Sequence, residues 1–242
     1  MEMNLKKAIV IGASSGIGRE LAKLLAANGY SIAIAARRMP LLNTLRDELP
    51  NGALVKQLDV SSPDTSKIVL SELIGEMGGI DLVVFAAGSG DLNEKLEWQL
   101  EQTSIATNVI GFSAIANVAI KYFISKKSGH LVGISSLAAI RGGKASPAYN
   151  ASKAFISNYL EGLRQKVTSL GLPVIITDIQ PGFVDTAMAK GEGLFWVASV
   201  KKAATQIYEA IKKKKSHLYV TKRWRLIAWL LRAMPESLYN RL

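Results

Sequence analysis

Ala8-Ile9-Val10-Ile11-Gly12-Ala13-Ser14-Ser15-Gly16-Ile17-Gly18 is a short apolar run that passes through three glycines into a segment of helical rhythm. In that segment Ile17, Leu21, Leu24 and Leu25 recur at a spacing near 3.6, as on one face of a helix. A strand, a glycine-rich turn and a helix in this order make the unit that binds a dinucleotide phosphate. Gly12 allows the tight turn, Gly16 lets backbone approach a pyrophosphate, and Gly18 lets the helix pack on the sheet. The helix start, with Ser14, Ser15 and Ile17 around it, offers free amides and a partial positive charge. The plainer reading, a simple strand–helix connector, fits less well with its place in the first β-α unit.

Working outward, the same rhythm repeats. Apolar runs lie at Ile32–Ala36, Leu54–Leu58, Leu82–Ala87, Leu131–Ile134, Val174–Ile179 and Leu218–Val220, mostly separated by helical patterns. Short, wholly apolar strands alternating with helices imply a parallel sheet covered on both faces. Right-handed crossovers then give a Rossmann-like, doubly wound α/β sheet of seven strands. The expected division is a dinucleotide-binding domain over residues 1–220 and a basic amphipathic extension over 221–242. Thr103 to Ile120 carries no charge over 18 residues, but its Thr, Ser and Asn side chains suit a buried helix better than a membrane span.

Composition narrows the chemistry. The chain of 242 residues has no cysteine, which excludes disulfides, thiolate catalysis and cysteine-ligated metals. His130 and His217 stand apart without a zinc-like context, so no metal site is expected. With no signal-peptide pattern at Met1, a reducing, cytoplasmic location is expected. The net charge is +11, of which +8 lies in residues 212–242, where nine Lys/Arg face one acid, Glu236.

The spacing Gly12-x-x-x-Gly16-x-Gly18 resembles that of the short-chain dehydrogenase/reductase family, and the resemblance runs from residue 6 to about 220. Tyr149-Asn150-Ala151-Ser152-Lys153 adds to it. On a helix Tyr149 and Lys153 share a face, and a Lys⁺ beside a positive nicotinamide is expected to lower the phenol pKa toward neutrality. Ser136, thirteen residues before Tyr149 at the end of a strand, is placed by the family spacing to bind the substrate oxygen; Ser135 is the less favoured alternative. Asn108 matches the family asparagine whose backbone carbonyl holds a water linked to the lysine, exposed by a local break in the helix. The resemblance implies a catalytic set of Asn108, Ser136, Tyr149 and Lys153.

At the end of the second strand Ala36 offers no carboxylate, and Arg37-Arg38 follow. Two guanidiniums suit a 2′-phosphate, which reads as NADP(H) over NAD(H); solvated surface charge is the plainer alternative. By resemblance, Asp59-Val60 reach the adenine. Pro181-Gly182 open the family's Pro-Gly motif, with Val184 and Thr186 at the nicotinamide carboxamide. The family usually has Asn-Asn-Ala-Gly after the fourth strand. Here Phe85-Ala86-Ala87-Gly88 stand instead, so Ala87 and Gly88 can still approach a cofactor while the asparagine's bonds must come from elsewhere. The segment Ala187–Val200 resembles a substrate lid. Its Met188, Leu194, Phe195 and Trp196 point to an apolar substrate or simply pack on the body.

The function expected is hydride transfer between a ketone or aldehyde and an alcohol, on an apolar or lipid-linked substrate. A silent cofactor-sensing or interaction protein is the alternative, and nucleic-acid binding ranks last because the charge sits in one tail. The resemblance also implies a homodimer through the Thr103–Lys126 and Tyr149–Ser169 helices. In the tail, Leu226, Ile227, Leu230, Leu231 and Met234 fall on one face, with Lys222, Arg225 and Arg232 on another. Lys212–Lys215 add charge beside it. That pattern suits an interfacial helix on an anionic, cytoplasmic membrane face, a helix docked on its own core, or a subunit contact.

Overall fold

The structure, a computed structural model, describes residues 5–189 and 193–241. Its centre is a seven-stranded, all-parallel sheet: β1 Lys7–Ile11, β2 Ser31–Ala36, β3 Leu54–Gln57, β4 Leu82–Phe85, β5 Gly129–Ile134, β6 Val174–Pro181 and β7 His217–Val220. The order across the sheet is β3-β2-β1-β4-β5-β6-β7. The Rossmann-like fold read from the apolar runs is therefore the fold found. The chain leaves β1 toward one edge and later returns to β4 on the other side, so a crevice opens at the carboxyl ends of these two strands.

Alternate residues of the central strands feed two cores. Val10, Ile34 and Val84 face α1 (Gly16–Ala27) and α7 (Val200–Lys212), where Leu21, Leu25 and Ile207 are buried. Ile9, Val83 and Phe85 face α3 (Pro63–Glu76) and α5 (Phe112–Lys126), meeting Leu70, Phe112 and Phe123. Burial on both faces is why the strands read as unbroken apolar runs. α2 (Met39–Glu48) covers the β2 side of the first core with Leu42 and Leu45.

Strand limits shift from the sequence expectation. β4 stops at Phe85, because Ala86 and the residues after it turn away once Ala86 N–H has bonded to the Ile11 carbonyl (2.8 Å). β6 instead runs on to Pro181, held by pairing with Val220 of β7. The uncharged helix is not uniform. α4 (Trp98–Ile105) passes through a π-helical segment, Ala106–Gly111, into α5. From Trp98 to Lys126 it is long and apolar enough to cross a membrane, yet Phe112, Ile115, Ala119 and Phe123 are buried against the sheet. Gly111 lies so near the Val60 carbonyl that a Cβ would come within 2.5 Å of it.

Phe112 joins the two layers, edge-on to Phe85 (5.2 Å between centroids) and to Tyr159 (5.7 Å) of α6, Pro147–Ser169. Phe112→Ala should cost about 3–5 kcal/mol, and Phe112→Leu clearly less. Urea unfolding of the two variants measures the difference; equal stabilities would show that this ring is not a keystone of the core.

Candidate active site

The glycine turn is shaped by contacts that admit no side chain. Gly12 has φ +87°, and a Cβ there would sit 2.4 Å from the Ala87 nitrogen; one on Gly18 would sit 2.4 Å from the Gly12 carbonyl oxygen. The turn is thus pressed against the end of β4 and against the first turn of α1. That turn carries no acidic residue, and Ser15 makes no capping bond, so the helix amides keep their capacity for an anion. The Ser14 and Ser15 hydroxyls accept from the Arg38 guanidinium at 2.9 and 2.7 Å. Arg38, though exposed like Arg37 on the same rim, is thereby fixed beside the turn. Asp59 holds its own loop, accepting from Ser61 N–H (3.0 Å) and Ser61 Oγ (2.7 Å).

The titratable groups lie within the first two turns of one helix. Tyr149 and Lys153 stand one turn apart at the start of α6. Lys153 is buried; its Nζ donates to the Ile134 carbonyl (3.1 Å) and lies 5.8 Å from the Tyr149 ring centroid. Burial pulls the Lys153 pKa down to about 8, with the Asp178 carboxylate acting in the other direction. The Tyr149 phenol is held above its ordinary value by burial, opposed by a hydrogen bond with Ser136. Desolvation of the hydroxyl thus favours the protonated phenol, and a cation brought beside it would act in the opposite direction.

Ser136 caps a 3-10 turn, Leu137–Ile140, accepting from Ala138 N–H (3.1 Å). Ser135 has a structural place: its hydroxyl donates to the buried Asp178 carboxylate, which also accepts from Ser157 (2.6 Å) and Gln180 (3.0 Å). Asn108, within the π segment, is fully buried. Its side chain accepts from Ser89 N–H (3.0 Å) and donates to the Ser89 carbonyl (2.7 Å) and Ser152 Oγ (2.9 Å). These bonds tie the segment after β4 to α6, in a region where Phe85 and Ala86 have no polar side chain to do so.

One cavity of about 840 Å³ runs from the glycine turn to Tyr149. Every residue singled out in the sequence for a dinucleotide lines it, and so do Ser136, Tyr149 and Lys153. Asn108 does not; it stands behind the wall. Thr186 hangs over the turn, with its methyl carbon 3.4 Å from where a Gly16 Cβ would be. The residues therefore fit a dinucleotide: amides without a competing acid at one end, two guanidiniums on the rim, and a proton-bearing phenol at the other end.

Several lining residues carry no sequence signal. Gly90 packs on the Tyr149 ring, where a Cβ would come within 2.2 Å of a ring carbon. The tail closes the opposite wall through Trp224, Leu231 and Tyr239. α8 (Trp224–Ala233) begins with Trp224 buried over Gly182, in a cage of Phe183, Phe195 and Trp196 with centroids 5.1–5.6 Å away. Arg141 donates to the Leu231 and Met234 carbonyls at 3.3 and 3.1 Å, satisfying the end of α8, and stacks on the Tyr239 ring of α9, Glu236–Tyr239. The Tyr239 hydroxyl donates to the Gly142 carbonyl.

This docking corrects the helical face read from the tail. Trp224 and Ala228 are buried, Ile227, Leu231 and Met234 turn toward the body, and Leu226, Trp229 and Leu230 turn outward. The single apolar face is thus split in two, since Trp224 anchors the helix and sets its rotation. In the expected lid, Phe195 and Trp196 pack around Trp224; Lys190, Gly191 and Glu192 lie outside the described residues. Among the described residues, no cluster of three or more His, Asp or Glu is placed to hold a metal.

Comparison with known proteins agrees with this geometry. A family model described as short chain dehydrogenase matches residues 6–194. An oxidoreductase of Myxococcus xanthus, described as uncharacterized, is 41% identical over 192 residues, covering 77% of this chain and 75% of its own. One from Mycobacterium tuberculosis is 34% identical over 192 residues, covering 76% and 75%. Among solved structures, a short-chain dehydrogenase from Streptomyces avermitilis superposes with a TM-score of 0.77 at 24% identity, covering 89% and 88%. An alcohol dehydrogenase from Thermococcus sibiricus, complexed with 5-hydroxy-NADP, gives 0.76 at 23%, covering 88% and 95%. With the glycine turn, Ser136, Tyr149 and Lys153 gathered on one cavity and the family model spanning most of the chain, this protein is an oxidoreductase of the short-chain dehydrogenase/reductase family.

Proposed function

We propose that the protein reduces a ketone or aldehyde to an alcohol with NADPH. The observation that carries this reading is the continuity of one cavity from Arg37, Arg38 and the glycine turn to Ser136, Tyr149 and Lys153. A bound nicotinamide dinucleotide supplies or accepts the hydride. Arg38, already held by Ser14 and Ser15, would bind the 2′-phosphate with Arg37, and the amides opening α1 would bind the pyrophosphate. Asp59 and Val60 would border the adenine. Ala87 and Gly88 would let the backbone come close, and Pro181, Gly182, Val184 and Thr186 would orient the nicotinamide end. An NADP derivative is bound in the related alcohol dehydrogenase named above.

At the reacting end, Ser136 would hydrogen-bond the carbonyl oxygen as its charge develops, and Tyr149 would donate the proton. A phenol held above its ordinary pKa keeps its proton at neutral pH, which suits the reductive direction. Lys153, fixed by the Ile134 carbonyl, stabilises the phenolate left behind, and Asn108 holds the surrounding helix in register. Leu92, Leu137, Met188, Trp224 and Leu231 line the substrate side, so an apolar or lipid-linked carbonyl compound is the expected class. Cytoplasmic action agrees with the absence of cysteine. A homodimer through the outer sides of α4–α5 and α6 is the expected assembly, and sedimentation would give twice the 26.1 kDa chain mass.

Calorimetry should show NADPH binding tighter than NADH, with Arg38→Ala weakening NADPH by about ten- to a hundredfold and NADH little. Equal affinity for both cofactors would remove the 2′-phosphate assignment. Tyr149→Phe should lower kcat by about 10²–10⁴ while NADPH binding stays unchanged; unaltered turnover would end the mechanism. Lys153 is cationic below about pH 8 and neutral above it, so reduction should fall as pH rises through that value. A rate profile flat across this range would show that the lysine charge is not used. Trp224→Ala should raise KM for apolar ketones severalfold with NADPH affinity intact, as read by steady-state kinetics; an unchanged KM would take the tail out of the substrate wall.

A further inference from the structure

α8 has two apolar sides, and only one is used by the body. On the inner side Trp224 and Ala228 are buried, and Trp224 and Leu231 close the cavity wall. The outer side leaves Trp229 72%, Leu226 69% and Leu230 50% exposed. Drawn at 100° per residue, Trp229, Ala233, Leu226 and Leu230 occupy one arc about 100° wide. Arg225 and Arg232 border it on one edge, and Arg223, just before the helix, borders it on the other.

Sequence pattern and docking together make this arrangement informative. A helix serving only as a cavity wall needs an apolar inner side and a polar outer one. Here the outward side is a tryptophan–leucine stripe with guanidiniums at its margins. Among the described residues no carboxylate comes within ion-pairing distance of Lys222, Arg223, Arg225 or Arg232. Nine cations against one acid over residues 212–242 give the region a strongly positive field. Lys222, Arg223, Arg225, Leu226 and Trp229 also surround a shallow surface hollow, so cation and apolar groups share one spot. Phe195, Trp196 and Val197, all exposed to solvent, belong to the neighbouring lid, and the Arg223 guanidinium lies 5.0 Å over the Trp196 ring.

We propose that the outer face of α8 docks on an anionic lipid bilayer, lying in the plane of the interface. Trp229, Leu226 and Leu230 enter the acyl boundary while Arg223, Arg225 and Arg232 reach up to lipid phosphates along their own apolar stems. Charge complementarity selects an anionic bilayer over a second copy of the chain, since two such faces would bring their arginines together. The inner side of the same helix lines the cavity, so docking brings the substrate wall alongside the bilayer. The contact does not depend on the oxidoreductase reading and is tested without turnover.

The test is flotation of the full chain with vesicles of phosphatidylglycerol and phosphatidylcholine, and with phosphatidylcholine alone. The protein should float with the anionic vesicles, and binding should weaken in high salt and on neutral vesicles. Leu226→Ser/Trp229→Ser should weaken partitioning by about tenfold or more, and Arg225→Glu/Arg232→Glu by at least about thirtyfold. Both variants change exposed groups only, so melting temperature and NADPH affinity should match those of the parent. Absence of vesicle binding would overturn the proposal, as would binding that both variants retain in full. A shift from dimer toward monomer in Leu226→Ser/Trp229→Ser, seen by sedimentation without vesicles, would assign the face to a second copy and equally overturn it.

Discussion

The approach of Gly12 to the backbone of Ala86 and Ala87 is the contact on which the rest of the site depends. It joins the end of β1 to the end of β4 at the place where the strand order reverses. With a Cβ excluded at 2.4 Å, the turn can lie flat across the sheet edge and α1 can begin at once, its amides aimed along the crevice. Everything downstream is measured from that line. The Arg38 guanidinium is held by the turn's own serines, and Thr186 settles over Gly16 from the other side.

The reacting end has a different logic, that of buried polar groups bonded in sequence-distant pairs. Asn108 reaches Ser89 and Ser152, Lys153 reaches the Ile134 carbonyl, and Asp178 gathers Ser135, Ser157 and Gln180. Three of these bonds, from Ser152, Lys153 and Ser157, join α6 to other elements, so the helix that carries Tyr149 and Lys153 cannot shift without breaking several at once. The burial that secures this geometry also lowers the lysine pKa and raises that of the phenol. The π-helical segment provides the local change of helical register that lets Asn108 reach its partners while Gly111 slips past the Val60 carbonyl.

The tail joins these two regions to the protein surface. Arg141 caps the carbonyl end of α8, Tyr239 bonds the Gly142 carbonyl, and Trp224 fills the space over Gly182 that a side chain would occupy. One wall of the cavity is thus built from Trp224, Leu231 and Tyr239 of the tail. The wall of the cavity and the outward apolar stripe are therefore two sides of one helix.

The fold was legible because its cause is local and repeated: unbroken apolar strands follow from burial on both faces, and the glycine spacing follows from a turn that rejects Cβ atoms. Tyr149 and Lys153 were legible because i and i+4 share a helical face, and Arg37 and Arg38 because they follow a strand end. Tertiary structure alone decided what depends on distant partners. It turned the Ser135 hydroxyl onto Asp178, ended β4 at Phe85, and raised the phenol pKa by desolvation. It also turned α8 so that Leu231 faces inward and Leu226 outward, because Trp224 had a cage to enter. No spacing within Thr221–Leu242 encodes that cage. Its walls are Gly182, Phe183, Phe195 and Trp196, and the rotation of a helix is set by the surface it meets.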